Sequence, residues 1–512
     1  MAGCCTFVKK SLMKPFFGIS RSGIKNILFT FIILLLVLPG LQGRYSFVSE
    51  KTLTGAFVVQ QKPDFREFRW QSWLDGSFQE DYNNRLEQHI GFRNSLVMVH
   101  NQLNYSAFNL ANAEGVIVGR NQELFEEDYL KEYTGQYFVG EEVWKKKARQ
   151  LKVVQDTLAR LGKSLVVIFE PGKGSFYPEL APAKYRNVAR TLSNYTALTG
   201  HLKSNGVNVL DLNRYFTALK GKTEYPLFPQ CGTHWSYYGA ILAADTTIKY
   251  LEKLRGIDLP DMKIVRNELL DTTRHPDYDI GLAMNLLFRI PHPKTANPVI
   301  RIEQGPSKSK PEVLIIGDSF YFNWLNNRIP TKTFGSCDFW YYNKNITRSN
   351  GSQAGVASDL DFRSEIMKRD IVIIMITERF LHAFAWGFDE QLYDLFYPGY
   401  RDPVEVFADK IRTYDEEFKR MKDESLAMNI SLPQRINKEA KYLFYNDSKS
   451  NPEKYTEKRD LIRIYEMGIR GTPDWFEEIK QKAKVNKISV DEQIRIDAEW
   501  IYEDKMKNKQ TK

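Results

Sequence analysis

Two short stretches hold the residues with which this chain could do nucleophilic chemistry. One is Pro-Glu-Val-Leu-Ile-Ile-Gly-Asp-Ser-Phe-Tyr at 311–321, and the other is Cys-Gly-Thr-His-Trp-Ser-Tyr-Tyr-Gly-Ala at 231–240. A serine becomes a nucleophile when a base within reach takes its proton, and His234 is the best base available to Ser319. The histidine comes first along the chain, an order that is open because such pairs are defined by geometry. The chemistry would be acyl transfer: His234 removes the Ser319 proton, and backbone N–H groups near Ser319 and Phe320, at the start of a following helix, stabilise the oxyanion. The motif is not the G-x-S-x-G elbow of α/β-hydrolases, because Tyr321 stands at the second glycine. Taken alone, Ser319 could be a helix cap and His234 a loop imidazole packed beside Trp235.

The elements that must position these residues are short apolar strands. Val313–Ile316 is a run of branched residues suited to a strand buried on both faces, and Gly317 lets the chain turn after it. Strand ends of this kind are where an open parallel α/β sheet presents its chemistry. Leu165–Phe169, Val207–Leu212 and Ile371–Ile376 read as further strands, the last leading into Thr377-Glu-Arg379. Helical spacing is predicted over Glu142–Leu161, Tyr185–Ser204, Ser236–Leu254 and Tyr321–Asn327, so strands and helices alternate as in a βαβ sheet. The Gly-Lys-Gly at 172–174 follows a strand but lacks the Walker order for a phosphate loop. Trp70, Trp73, Phe78, Phe92 and Phe125 are expected in a core.

At 512 residues, two or three structural units are expected. The net charge of +9 is spread along the chain, without zinc-finger spacing or a long basic run, which speaks against nucleic acid. A basic surface suits an anionic polysaccharide or phospholipid. None of the four cysteines forms a C-x-x-C pair, so no metal site is expected, and no cofactor. Cys231 and Cys337 are either a disulfide or two buried thiols. The first 25 residues carry Lys9, Lys10, Lys14, Arg21 and Lys25 and no acid, and an apolar run from Ile27 to Leu38 follows. This reads as an uncleaved signal anchor with the rest of the chain outside, the alternative being a cleaved signal peptide. From about Glu405 strands disappear and helical spacings recur, with helix starts at Pro473 and Ser489.

Gly317-Asp-Ser-Phe320 and Thr233-His-Trp-Ser236 resemble the signature blocks of SGNH-type acyltransferases of the alginate O-acetylation kind, the AlgX and AlgJ type and the related DHHW proteins. Gly91-Phe-Arg93, the segment Val116–Phe125 and Asp279-Ile-Gly-Leu-Ala283 resemble further parts of that family, over about residues 50–390. The resemblance implies an SGNH (flavodoxin-like) parallel sheet with helices on both faces, in a membrane-anchored protein whose body is extracytoplasmic (periplasmic). It implies transfer of acetyl groups to hydroxyls of an exported or cell-surface polysaccharide, supplied by a polytopic membrane-bound O-acyltransferase partner. Ser319 would be the nucleophile and His234 the base, supported by Asp318, Phe320, Trp235, Glu378 and Arg379. The expected division is a basic cytoplasmic segment (1–25), a signal anchor (26–43), an N-terminal lead-in to the SGNH-like domain (45–135), the α/β domain (136–400) with an insertion at 256–310, and a helical extension (405–512).

One position departs from the family. Its Asp-x-His-Trp block has an acid two residues before the histidine, and here that residue is Gly232. Three readings follow: another acid serves (Asp318, Glu378 or Asp338), the site works as a slower Ser–His dyad, or the protein is a non-catalytic glycan-binding or assembly subunit. The first two describe an acyltransferase or an acetylesterase.

Overall fold

A run of branched apolar residues with no polar alternation must be covered from both sides. In the computed structural model of the chain, which describes residues 21–55, 68–270 and 277–510, such a run forms the middle of a seven-stranded sheet. The chain divides into two units, Gly115–Ile280 with Pro291–Lys512, and Met1–Glu114 with Gly281–Ile290.

The larger unit begins with an antiparallel ribbon, β1 (Val116–Val118) and β2 (Leu124–Glu126). Its strands then run β3 (Ser164–Glu170), β4 (Val209–Asp211), β5 (Met262–Leu270), β6 (Thr295–Ile302), β7 (Glu312–Gly317), β8 (Ser336–Tyr341), β9 (Asn345–Thr347), β10 (Gln353–Val356) and β11 (Ile371–Thr377). The main sheet is ordered β10-β9-β8-β7-β11-β3-β4. From β8 to β4 every pair is parallel, and β9 and β10 add an antiparallel edge. Residues 256–310, expected as an insertion, contain the antiparallel pair β5–β6, which stands apart from the main sheet.

Alternation along each strand divides its side chains between two cores. Leu165, Val167 and Phe169 share one with Leu314, Ile316, Val372 and Ile374, under Trp144, Leu151 and Leu158 of the helix Glu141–Arg160. Val166, Ile168, Val313, Ile315 and Ile373 face the other, under Ile241, Ala244, Ile248 and Leu251 of the helix Tyr237–Arg255. The helix predicted over 185–204 is broken: Ala183–Arg186 makes one turn, and a new helix starts at Asn194, where the Ser193 hydroxyl accepts from the Thr196 N–H at 3.2 Å.

The region from Pro403 onward is helical. Its first three helices place Ile411, Phe418, Met421, Ile436 and Phe444 in the same core as one face of the sheet. The last three close around Ile469, Ile479, Ile494 and Ala498. The expected start at Ser489 is real, its hydroxyl accepting from the Glu492 N–H at 3.1 Å.

The smaller unit contains α1 (Arg21–Tyr45), α2 (Trp70–Leu74), α3 (Ser77–His89) and α4 (Arg93–Phe108). Most of the basic 1–25 segment lies outside the described residues. Within α1, the 24 residues Ser22–Tyr45 are long and apolar enough to cross a membrane. Trp70 and Trp73, expected in a core, are exposed, because α2 is a short helix with no buried residue; Phe125 is fully buried.

Candidate active site

Ser319 follows β7, where the chain must pass between β11 and β8 with almost no room. A Cβ on Gly317 would lie 2.7 Å from the Met375 carbonyl oxygen, so only glycine fits there. Asp318, buried, then ties three groups together. Its Oδ1 accepts from the Phe320 N–H at 3.1 Å, and its Oδ2 accepts from the Thr377 N–H at 2.9 Å and the Thr377 hydroxyl at 2.7 Å. Thr377 ends β11, so Asp318 locks the nucleophile turn to the neighbouring strand. The Phe320 N–H, expected to help an oxyanion, is thereby already committed. This leaves the Ser319 N–H, at the first position of the Ser319–Tyr321 turn, as the donor of that expected pair which Asp318 does not engage. Beside Asp318, burial pushes the Glu170 carboxyl well above its ordinary value, and the Asp318 charge adds to that push.

His234 sits on the loop before the helix Tyr237–Arg255. Ser236 caps that helix, accepting from the Gly239 N–H at 3.0 Å, and its own N–H reaches the Leu227 carbonyl at 2.8 Å. Trp235 is wholly buried, with Phe320 and Trp324 at ring-centroid distances of 5.2 and 5.8 Å. Residues 229–232 are held from below by Lys173 of the Gly-Lys-Gly segment. Its ammonium donates to the carbonyls of Pro229 (2.7 Å), Gln230 (3.0 Å) and Gly232 (2.9 Å) and pairs with Glu123 at 2.8 Å. Lys173 therefore braces a loop and holds no phosphate.

These two anchors bring the imidazole to the hydroxyl: His234 Nε2 lies 2.8 Å from Ser319 Oγ. On the other side, His234 Nδ1 lies 2.6 Å from Asp279 Oδ2. The second oxygen of Asp279 is also occupied, accepting the N–H groups of Thr233 (2.9 Å) and Ile280 (2.7 Å). Burial opposes the charge on Asp279, but the His234 hydrogen bond and the two backbone donors outweigh it and hold the carboxyl below its ordinary value. With Asp279 ionised, the Nδ1 proton faces it and Nε2 is left to accept from Ser319. Nearby Asp277 behaves oppositely: burial, with the Asp279 charge next to it, pushes it up to about 7.

The three acids expected to replace the missing one lie elsewhere. Asp318 serves Phe320 and Thr377 as described. Glu378 follows β11 and accepts from Asn213, and burial pushes it up to about 8. Asp338, on β8, is engaged by Arg348 and by Arg369 at 2.6 Å. Arg379 pairs with Glu126 and lies 4.4 Å over the Phe380 ring; Glu126 also accepts the Thr233 hydroxyl at 2.8 Å, which links Arg379 to the histidine loop. No disulfide joins Cys231 and Cys337: both thiols are buried, and Cys337 Sγ lies 3.3 Å from the Tyr321 hydroxyl. Among the described residues no three His, Cys, Asp or Glu side chains converge as metal ligands.

Asp279 is the site residue that local pattern does not single out, although it opens the family-like segment Asp279–Ala283. The signal was an acid opening a family-like segment while the usual acid position was glycine.

Residues 116–321 match the sequence profile of a family described as the SGNH hydrolase-like domain, acetyltransferase AlgX. A Pseudomonas putida protein named probable alginate O-acetylase AlgJ is 23% identical over 201 residues, covering 39% of this chain and 50% of that protein. The chain thus spans about half the length of this curated relative. Among solved structures, the O-acetyltransferase domain of Pseudomonas putida AlgJ is 17% identical, covering 55% of this chain and 99% of that one, with a TM-score of 0.37. Pseudomonas aeruginosa AlgX is 16% identical, covering 55% and 66%, with a TM-score of 0.38.

Proposed function

We propose, from the match of residues 116–321 to the family described as the SGNH hydrolase-like domain, acetyltransferase AlgX, that the protein is an extracytoplasmic O-acetyltransferase acting on hydroxyls of an exported or cell-surface polysaccharide. The observation that carries this reading is the unbroken line from Asp279 through His234 to Ser319, with contacts of 2.6 and 2.8 Å. Asp279 supplies a carboxylate to His234 where position 232 has none, which favours the catalytic reading over a non-catalytic glycan-binding or assembly subunit.

In the first half-reaction Ser319 Oγ attacks the acetyl carbonyl while His234 Nε2 takes its proton. The imidazolium, stabilised by Asp279, returns that proton to the leaving atom of the donor, and acetyl-Ser319 remains. In the second, a sugar hydroxyl gives its proton to Nε2 and attacks the acetyl ester, and Ser319 regains a proton from the imidazolium. Water in place of the sugar makes the same site an acetylesterase. The Ser319 N–H faces the developing oxyanion in both steps. In this reading a polytopic membrane-bound O-acyltransferase presents the acetyl group, and α1 holds the domain at the same membrane. The relative is named for alginate, and a net charge of +9 suits an anionic polymer, so a uronate oligosaccharide is the first acceptor to test.

The test is incubation with a chromogenic acetyl ester, with and without the oligosaccharide, followed by mass spectrometry of the Ser319 peptide. Acetyl-Ser319 should accumulate without acceptor and discharge with it, and Ser319→Ala should abolish chromophore release. Release indifferent to Ser319→Ala would remove the proposal.

A further inference from the structure

The smaller unit carries an apolar surface that faces away from its own packing. In α4, Met98, Asn101 and Tyr105 are buried, and the Asn101 amide donates to the Met284 carbonyl at 2.9 Å. The opposite face presents Leu96, Val99 and Leu103 to solvent in one line at helical spacing. Along that line the exposed ionisable neighbours are Arg93, at the start of the helix, and His100, whose ring Nε2 is hydrogen-bonded to the Asn104 amide at 2.9 Å. Just past the helix, Phe108 and Leu110 are exposed as well, Phe108 at 68%. The preceding helix ends in the same manner, with Tyr82, Leu86 and Ile90 exposed at four-residue steps. Rows of large apolar side chains left in solvent on neighbouring helices point to an interaction site.

What covers it is indicated by where the α3–α4 turn is fixed. The Gly91 N–H donates to the Pro39 carbonyl of α1 at 3.0 Å, and a Cβ on Gly91 would lie 2.4 Å from Gln42 Cβ. Phe92 packs edge-on to Phe47 at 6.0 Å, and Glu50 accepts the Phe92 N–H at 2.8 Å and the Ser95 N–H at 3.2 Å. Pro39 to Gln42 is the last apolar turn of α1 before Arg44. If α1 spans a bilayer, this turn lies at the outer boundary, where apolar side chains meet lipid and Trp and Tyr collect. The exposed Trp70 and Trp73, clustered with Phe68 and Phe78 at the start of α3, have the composition of such a belt.

We propose that the Leu96–Leu103 face of α4 is a second membrane contact, seated in the lipid boundary beside α1, so that two elements hold the protein on the bilayer. The proposal rests on the reading of α1 as a membrane span. It is tested on the full chain carrying Cys4→Ser and Cys5→Ser, with single Leu96→Cys, Val99→Cys, Leu103→Cys and, in α1, Phe31→Cys variants. Each is nitroxide-labelled and reconstituted in phosphatidylcholine vesicles, and its collision rates with oxygen and with a water-soluble nickel chelate are measured. The expected result is oxygen collisions exceeding nickel collisions several-fold at 31, 96 and 103. Water-like collisions at 96 and 103 with lipid-like collisions at 31 overturn the second contact and keep the anchor. Labels at 96 and 103 immobilised and shielded from both reagents show a protein occupant and overturn it too. Water-like behaviour at 31 overturns the anchor and the contact together.

Discussion

Asp279→Asn is the sharpest probe of the site, because the two oxygens of Asp279 have different partners. Oδ1 accepts two backbone N–H groups, from Thr233 and Ile280, and Oδ2 faces His234 Nδ1 at 2.6 Å. In the asparagine the carbonyl oxygen must stay on the side of the two donors, which turns the NH₂ toward Nδ1. The imidazole is then forced to accept at Nδ1 and to carry its proton on Nε2, the atom that must take the proton of Ser319. The variant also loses the charge facing the imidazolium. At a separation of 2.6 Å and an effective dielectric near 20, that attraction is on the order of 6 kcal/mol. At about 1.4 kcal/mol for each tenfold in rate, kcat should fall roughly 10⁴-fold, as it does when the equivalent acid of a serine protease is changed. The backbone cap survives in the variant, so it should still fold cooperatively with only a modestly lower melting temperature, and KM should hardly change. The assay is steady-state turnover of a chromogenic acetyl ester, with a thermal melt as control. A kcat within tenfold of wild type, in a variant that melts cooperatively and under conditions where Ser319→Ala is inactive, would refute the assignment of Asp279 as the orienting acid. Because Asp279 is held below its ordinary value of 3.8, its contribution to stability persists through neutral pH and is lost only as pH falls below that value. Asp279→Asn should therefore flatten the acid limb of the stability profile.

Asp338→Asn should leave kcat unchanged while lowering stability by roughly 3 kcal/mol in urea unfolding, since it removes a partner of buried Arg369 that Glu365 only partly replaces. Lys173→Met strands three carbonyls and Glu123 beneath the histidine loop; it should cost about 3–5 kcal/mol of stability and lower kcat more than it raises KM, measured on the fraction still folded. Glu378 is raised by burial from 4.5 to about 8, so the folded state keeps a proton that the unfolded chain gives up, and this contribution to stability declines as pH rises from about 4.5 to about 8. Glu378→Gln should match wild type in urea midpoint near pH 5 and exceed it near pH 8; an unchanged slope would show that the group does not titrate there.

Much of the scaffold is legible in local pattern. The short branched apolar runs at Val313–Ile316 and Ile371–Ile376 suit strands covered on both faces, and they lie side by side at the centre of the sheet. Ser319 and His234 stand out because a small residue, a polar residue and a turn at a strand end form a short-range signal. Other features are not local. The exposed Trp70 and Trp73 look like core residues by type, but burial depends on what a short helix is packed against. Lys173 sits in a glycine-flanked segment whose order already speaks against a phosphate loop, but only the arrival of the Pro229–Gly232 carbonyls shows it to be a brace.

By itself the sequence determined the strand-borne serine, the histidine ahead of a capped helix, the apolar N-terminal helix and the absence of an acid at position 232. Only the tertiary structure decided which acid turns the imidazole. Asp279 lies 45 residues beyond His234, in the excursion that includes β5 and β6, and reaches the ring because its second oxygen is pinned by the backbone of Thr233 and Ile280. Periodicity reports which face a side chain belongs to. The partner of a ring nitrogen is set by a contact within hydrogen-bonding distance, and chain separation does not encode that distance.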